Sequence, residues 1–204
     1  MRYGADDFQR ETGVSRETLD RLQAYAELLA KWNARINLVG RESEPDLWRR
    51  HILDSAQLLP LIPKESQSVA DIGAGAGLPG LILSVLNTSA QIHLIESDRR
   101  KVAFLREAIR VTQSTAIVHE SRVEEVDLPA QDVVVARACA PLDRLLEMAE
   151  KLISIHTVCL FPKGTQVEQE LTAARLRWKM QVRQVPSRTD PGGRILVLTE
   201  VARA

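Results

Sequence analysis

Residues 69–80, VADIGAGAGLPG, place four glycines within eight positions directly after a short apolar run. Glycine adopts backbone dihedral angles that are closed to other residues and lets a ligand touch the main chain. A helix beginning at the end of this segment would also direct its free N–H groups and the positive end of its dipole at such a ligand. The segment therefore predicts a turn that binds a nucleotide-like cofactor, and a tight turn that binds nothing is the alternative.

The register of the glycines separates the candidate cofactors. A P-loop is excluded, because no Lys-Ser or Lys-Thr pair follows the last glycine. The dinucleotide pattern GxGxxG matches Gly75 to Gly80, but it starts three residues after the expected strand end at Ile72, not directly at that end. The series that opens directly at the strand end is Gly73-x-Gly75-x-Gly77, and Asp71 lies two residues ahead of its first glycine. A carboxylate in that place suits a cationic amine, such as the one in the methionine part of S-adenosylmethionine.

Two acidic residues follow later strand patterns. Glu96 ends the second predicted strand, where a carboxylate can accept hydrogen bonds from both hydroxyls of a ribose. NAD and S-adenosylmethionine both carry such a ribose, so Glu96 indicates an adenine nucleoside without choosing between them, and an exposed acid beside a helix is the alternative. Glu124, in the loop after the third strand, is placed to accept the amino group of adenine.

The order of the elements predicts the fold. Strand and helix patterns alternate from Val69 onward, and repeated β-α units form a mostly parallel sheet with both faces covered. The last two strand patterns are joined by RTDPGG, which predicts a C-terminal antiparallel hairpin. The fold class is therefore α/β. We expect an N-terminal helical extension, residues 1–63, to pack on a core domain formed by residues 64–204.

Two helices are predicted within that extension. Ser15 is a suitable N-cap for a helix that continues to about Asn33 with an apolar stripe at steps of three and four. Ser43 is a suitable cap for a second helix, which has Pro45 in its first turn, where proline is tolerated.

The composition sets outer limits on function. The chain has 204 residues, 45% of them apolar and 26% charged, with a formal net charge of zero. Two cysteines and four histidines without ligand spacing predict no metal site. There is no signal-peptide pattern and no run of roughly 20 apolar residues, so we expect a cytoplasmic protein without a membrane span.

Seven segments resemble one family. They are KWNARINLVG, RHILDS, DIGAGAGLPG, LIESDRRKVAFLRE, SRVEEV, VVVARACAPL and FPKG, and together they cover nearly the whole chain. This series resembles the bacterial 16S rRNA 7-methylguanosine methyltransferases, known as RsmG or GidB. The resemblance implies a class I (Rossmann-like) methyltransferase fold that uses S-adenosylmethionine to methylate N7 of a guanosine in 16S rRNA, as naked rRNA or in a small-subunit particle.

The resemblance also implies roles for particular residues. Gly73 and Leu78 would line the cofactor pocket, Val123 and Glu124 would border the adenine, and Arg137 would face the cofactor or the substrate. The chain departs from the family pattern at two places that concern target contacts: Cys139 stands where an aromatic residue is common, and the last strand does not finish with lysine.

The chemistry implied by this family needs positioning more than proton transfer. Guanine N7 carries an in-plane lone pair and no proton, so we expect no general base and no catalytic residue in that sense. A nucleophilic Cys139, as in pyrimidine C5 methylation, is the rival mechanism, although a small buried cysteine in a turn is favoured.

Contacts to RNA are predicted for a set of basic residues on the second helix, after the fifth strand and on the hairpin. They are Arg49, His51, Lys163, Arg188 and Arg194. Each has a plainer alternative, a solvated surface charge or, for His51, a hydrogen-bonded core residue. We expect a monomer. The rival functions are an NAD-dependent oxidoreductase and an RNA- or partner-binding module with a vestigial pocket.

Overall fold

Apolar and β-branched runs along the chain form one sheet in the computed structural model, which describes residues 3–86, 89–137 and 140–204. Within these ranges the sheet has seven strands in the order β3-β2-β1-β4-β5-β7-β6. The strands are β1 (Ser68–Ile72), β2 (Gln91–Glu96), β3 (Ile117–Glu120), β4 (Val133–Val135), β5 (Val158–Lys163), β6 (Trp178–Pro186) and β7 (Arg194–Arg203). The first five run parallel, and β7 lies antiparallel between β5 and β6. The predicted α/β sheet with its closing hairpin is confirmed.

Seven α-helices accompany the sheet in the described part of the chain. They are α1 (Ala5–Thr12), α2 (Arg16–Asn33), α3 (Asp54–Ala56), α4 (Gly80–Val85), α5 (Arg99–Thr112), α6 (Leu142–Ala149) and α7 (Val167–Ala174). The predicted start of α2 is confirmed, because the Ser15 side chain accepts a hydrogen bond from the N–H of Thr18 at 3.1 Å. None of the helices in the described residues is long and apolar enough to cross a membrane.

The segment after α2 differs from the predicted second helix. It forms a 3₁₀ turn (Glu44–Asp46), a π-helix (Trp48–Leu53) and the short α3. The side chain of Ser43 accepts no hydrogen bond from the turn that follows it, so it does not cap a helix, and its hydroxyl donates to the carbonyl of Gly40 at 2.8 Å. The helix α1 was also not predicted from the sequence.

Two apolar cores lie on opposite faces of the sheet. Side chains of α2, including Leu22 and Tyr25, share the first core with α4 and α5. The second core joins the other face to α6 and α7. The N-terminal helices thus pack on the layer that contains the turn after β1, and the Tyr25 hydroxyl donates to the carbonyl of Ala76 in that turn at 2.8 Å. The division of the chain at residues 63 and 64 into two domains stays a prediction.

Candidate active site

The turn after β1 needs its glycines for two different reasons. Gly73, Gly75 and Gly77 have φ values of 68°, 56° and 80°, in the left-handed region that favours glycine. A Cβ on Gly80 would lie 2.7 Å from Cβ of Asp71 and 2.5 Å from Cδ2 of Leu94, so that position requires glycine for space. The turn therefore lies close against the sheet and presents its main chain at the carboxyl end of β1.

Asp71 does not take the place that the sequence predicted. Its carboxylate is completely buried and does not line the cavity beside the turn. Oδ2 accepts the N–H of Gly80 at 2.8 Å and so satisfies the first free N–H of α4. Oδ1 has no hydrogen-bond partner among the described residues. Burial raises the pKa of Asp71 to about 7, against the opposing effect of the Gly80 hydrogen bond. Asp71 supports the turn from the side of the sheet, and its carboxylate does not face the cavity.

A cavity of about 1050 Å³ opens over the carboxyl ends of β1, β2 and β4. This is where ligands bind in open α/β sheets. All of the residues predicted to bind the cofactor lie on its wall: Gly73, Gly75, Leu78, Glu96, Val123, Glu124 and Arg137. Their role toward the cofactor stays a prediction, but the fold brings residues from four separate segments of the chain to one cavity.

Glu96 holds the turn in place through both carboxylate oxygens. Oε2 accepts the N–H of Gly75 at 3.0 Å, and Oε1 accepts the N–H of Asp98 at 2.8 Å. A carboxylate has about four lone-pair sites, so each oxygen keeps capacity for one more donor. Glu96 therefore fits the predicted ribose contact while it ties β2 to the glycine turn.

The short 3₁₀ helix after β3 (Val123–Glu125) forms another wall of the cavity. Val123 is buried within it, and Oε1 of Glu124 lies 3.2 Å from Nη2 of Arg144. The carboxylate is thus partly occupied by an ion pair that the sequence alone did not reveal.

Arg137, just beyond β4, is held by three groups from the π-helix region. Its Nη1 donates to the carbonyl of Arg50 at 3.0 Å and lies 3.3 Å from Oδ2 of Asp54, while Nη2 lies 2.8 Å from Nδ1 of His51. The guanidinium is therefore fixed at the cavity wall in one orientation. The segment RHILDS contributes Asp54, which was missed because its position depends on the π-helix.

His51 is a neutral support for Arg137 and is only 7% exposed. Burial lowers its pKa to about 3, with the charges of Arg137 and Arg50 acting in the same direction. Nδ1 then accepts from Arg137, and Nε2 donates to the hydroxyl of Ser43 at 2.9 Å. The prediction of an RNA contact through His51 does not fit this environment, since both ring nitrogens are occupied.

Lys163, at the end of β5, also differs from its predicted role. Its side chain is only 8% exposed, and Nζ lies 2.7 Å from Oε2 of Glu170 and 2.8 Å from the carbonyl of Ala140. It lines the cavity as part of a part-buried ion pair and is not an open phosphate contact. Glu170 was missed because no sequence pattern relates α7 to the end of β5.

The other predicted RNA contacts are dispersed. Arg194 lines the cavity and donates from Nη1 to the carbonyl of Gly193 at 2.8 Å. Arg188 lies 2.5 Å from Oε1 of Glu11, away from the cavity wall. Arg49 is exposed and is also not on the wall. Their contacts with RNA stay predictions.

Metal-assisted and cysteine-based mechanisms find little support in the described residues. In the ranges that the structure describes, no cluster of three or more His, Cys, Asp or Glu residues could hold a metal ion. Cys139, the candidate nucleophile, lies outside the described residues. Cys159 is buried in β5, and burial raises the pKa of its thiol to about 12.

This sheet order, with the glycine turn after β1, is the fold of the class I S-adenosylmethionine-dependent methyltransferases. Solved structures share the fold: magnesium protoporphyrin IX methyltransferase from Synechocystis, with bound S-adenosylmethionine, has a TM-score of 0.57 at 13% identity over 92% of this chain and 99% of that one. A methyltransferase from Aquifex aeolicus has a TM-score of 0.57 at 16% identity over 78% and 96%.

The sequence comparisons identify the family. Residues 18–193 match the family GidB, described as rRNA small subunit methyltransferase G. Proteins named ribosomal RNA small subunit methyltransferase G from Rhodospirillum centenum and Paramagnetospirillum magneticum are each 52% identical over 98% of this chain and over 92% and 97% of their own lengths. The chain therefore belongs to the small-subunit rRNA methyltransferase G family. The predictions of an rRNA methyltransferase and of S-adenosylmethionine as its cofactor are confirmed.

Proposed function

We propose that this protein transfers the methyl group of S-adenosylmethionine to N7 of a guanosine in 16S rRNA of the small ribosomal subunit. The observation that carries the proposal is the convergence of the glycine turn, Glu96 and Arg137 on one cavity. Family membership supports rRNA as the substrate. We further propose that it acts as a monomer in the cytoplasm, where ribosomal subunits are present.

The residues present fit the cofactor. The left-handed glycines leave room for a ligand against the main chain, and Glu96 offers one free lone-pair site on each oxygen to a ribose. Val123 and Leu78 supply apolar wall, as an adenine or a methylene chain requires. When bound, S-adenosylmethionine supplies an electrophilic methyl group on a sulfonium.

The side chains around the cavity favour a positioning mechanism. Each of the acidic residues on its wall has a hydrogen-bond or ion-pair partner in the described structure: Asp54, Glu96, Glu124, Glu170 and Asp190. His51 is neutral and fully engaged. Guanine N7 needs no base, so the residues must orient the target and exclude water, and good orientation is worth an effective concentration on the order of 10⁵ M or more.

Arg137 is the group best placed to orient the target base. A guanidinium is always charged and presents donors in a fixed plane, which suits O6 of guanine and the phosphate oxygens that flank it in RNA. Its support by His51 and Asp54 removes most of its rotational freedom before the RNA arrives.

Calorimetry tests the proposed cofactor site before any turnover is measured. We expect S-adenosylhomocysteine to bind the purified protein at one site per chain and NADH not to bind. Binding of NADH without binding of S-adenosylhomocysteine would overturn the proposal in favour of an oxidoreductase.

A further inference from the structure

A second concave site lies beside the cavity, at the C-terminal end of α2 and the N-terminal end of α5. Its volume is about 410 Å³. We call it the basic pocket, and it is lined by Lys31, Trp32, Arg35, Ile36, Arg99, Arg100 and Ala103. Four of these residues are cations and three are apolar, and this lining contains no acidic side chain.

The cations of the basic pocket are open to solvent. Arg99 and Arg100 have side chains that are 91% and 74% exposed, and each makes one long ion pair, at 3.5 Å to Glu120 and 3.8 Å to Asp98. Exposed ion pairs of this kind contribute little and exchange readily for a stronger partner. Lys31 and Arg35 are exposed and have no side-chain hydrogen bond or ion pair among residues 3–86, 89–137 and 140–204.

The apolar floor of the pocket is held rigidly. The indole N–H of Trp32 donates to Oε2 of Glu107 at 3.2 Å, and its ring packs edge-on against Phe104 with centroids 5.8 Å apart. The N–H groups of Arg35 and Ile36 both donate to the carbonyl of Trp32, at 2.9 and 3.0 Å, so the chain turns back over the end of α2. The indole is thereby fixed in a pocket whose lining also includes four cationic residues.

The basic pocket and the cavity have walls from the same two segments of chain. Arg35 and Ile36 line the pocket, and Leu38 and Val39, only a few residues further on, line the cavity. Ser97 and Lys101, which flank Arg99 and Arg100 in the sequence, line the cavity, whereas the two arginines line the pocket. The two sites are therefore lined by neighbouring residues of the same two segments of the chain.

We propose that the basic pocket binds a nucleotide of the substrate rRNA next to the one that is methylated. A base would lie on the apolar floor while its flanking phosphates meet the cations, the combination by which proteins bind unpaired RNA. A protein partner fits less well, because only a strongly acidic segment would balance the four cations around the apolar floor. The inference rests on the proposed function of the adjacent cavity.

The first test removes charge from the pocket. The variant Arg35→Gln/Arg100→Gln is compared with Arg16→Gln/Arg110→Gln, which removes two exposed arginines of α2 and α5 that lie outside the pocket. The substrates are small subunits from a strain lacking the gene and the deproteinised 16S rRNA from the same particles. We expect the pocket variant to raise KM for RNA and to leave kcat at saturating RNA and the affinity for S-adenosylhomocysteine unchanged. The slope of the logarithm of the RNA-binding constant against the logarithm of the salt concentration should fall in magnitude by about one for each phosphate that the variant no longer binds.

The second test measures, by tryptophan fluorescence, whether RNA contacts the apolar floor of the pocket. The variant Trp32→Phe keeps an aromatic ring against Phe104, and Trp48 and Trp178 remain as emitters. We expect substrate RNA to quench the tryptophan emission of the wild-type protein. In Trp32→Phe most of this quenching should be lost. Equal quenching in the two proteins would place the base elsewhere and overturn the proposal.

The failures of the two proposals can be told apart. If the wild-type protein transfers no methyl group to either substrate, the proposed function fails. If it does and the pocket variant behaves as the Arg16/Arg110 control, only the pocket assignment fails. Loss of binding to the particle with unchanged binding to naked rRNA would assign the pocket to a ribosomal protein and would also overturn it.

Discussion

Nη2 of Arg137 lies 2.8 Å from Nδ1 of His51, which joins the end of β4 to the π-helix that precedes α3. The contact is between a charged donor and an imidazole that burial keeps neutral, with its pKa lowered to about 3. It couples the N-terminal region to the wall of the cavity, and it explains why a buried histidine stands beside an arginine without repelling it.

Removing His51 should therefore weaken catalysis through Arg137. We expect His51→Ala to lower methyl transfer about tenfold or more, the effect of losing a hydrogen bond to a charged group, and His51→Asn to restore part of it because an amide oxygen can accept from the guanidinium. His156→Ala, at an exposed histidine, is the control. Activity should show no inflection from His51 between pH 5 and 8, and an identical loss in the Ala and Asn variants would argue against a positioning role.

Glu96 should govern cofactor affinity. In Glu96→Gln one oxygen becomes an NH₂ group that faces a backbone N–H, either that of Gly75 or that of Asp98. We expect the affinity for S-adenosylhomocysteine, measured by calorimetry, to fall roughly tenfold or more. Glu120→Gln is a matched control, since Glu120 is the register partner of Glu96 on β3. Equal affinity in Glu96→Gln and the wild-type protein would remove this carboxylate from the binding site.

Lys163 should matter for stability more than for RNA affinity. In Lys163→Met the Glu170 carboxylate loses its cationic partner but keeps the N–H of Leu142, and we expect the free energy of unfolding to fall by about 2 kcal/mol, as for the loss of a hydrogen bond to a charged group. Lys179→Met, at an exposed lysine of β6, should have almost no effect. Denaturant titration measures both variants. A Lys163→Met protein of wild-type stability that has lost the salt dependence of RNA binding would restore the original prediction.

Asp71 should give the protein a characteristic pH dependence of stability. Its pKa is about 7 in the fold, against an ordinary value of 3.8, so the folded state binds the proton more tightly than the unfolded chain. The stabilisation is complete below pH 3.8 and is lost as the pH rises toward 7.

Asp71→Asn should remove this effect. We expect the stability of Asp71→Asn relative to the wild-type protein to increase between pH 5 and 7, by at most about 1.4 kcal/mol for each pH unit. The contribution of His51 cancels in this difference because both proteins carry it. Asp20→Asn, at an exposed carboxyl group on α2, should show no such trend. A stability difference that stays constant with pH would mean that Asp71 is ionised in the fold.

The elements with clear periodicity could be predicted from the sequence. The Ser15 cap and the apolar stripe of α2 mark that helix, and the strand-turn-strand pattern around RTDPGG marks the β6-β7 hairpin. The seven predicted cofactor residues also lie on one cavity, because the carboxyl ends of neighbouring parallel strands meet at one edge of the sheet.

The orientation of charged side chains could not be predicted in the same way. Asp71 turns beneath the glycine turn because the N–H of Gly80 is within reach there, and Lys163 meets a carboxylate seven residues further along the chain in a helix that packs back on β5. The sequence shows that such groups are charged, but only the packed structure shows which partner satisfies them. The same applies to the π-helix, whose wider turn brings His51 and Asp54 to one guanidinium.

Methylation of unmodified subunits tests the central claim most directly. Small subunits from a strain lacking the gene would be incubated with the purified protein and S-adenosylmethionine labelled in its methyl group, and the 16S rRNA would be digested to nucleosides and mapped by mass spectrometry. We predict that the label appears in 7-methylguanosine at a single position. Label in any other nucleoside, or none in rRNA when S-adenosylhomocysteine binds normally, would contradict the account.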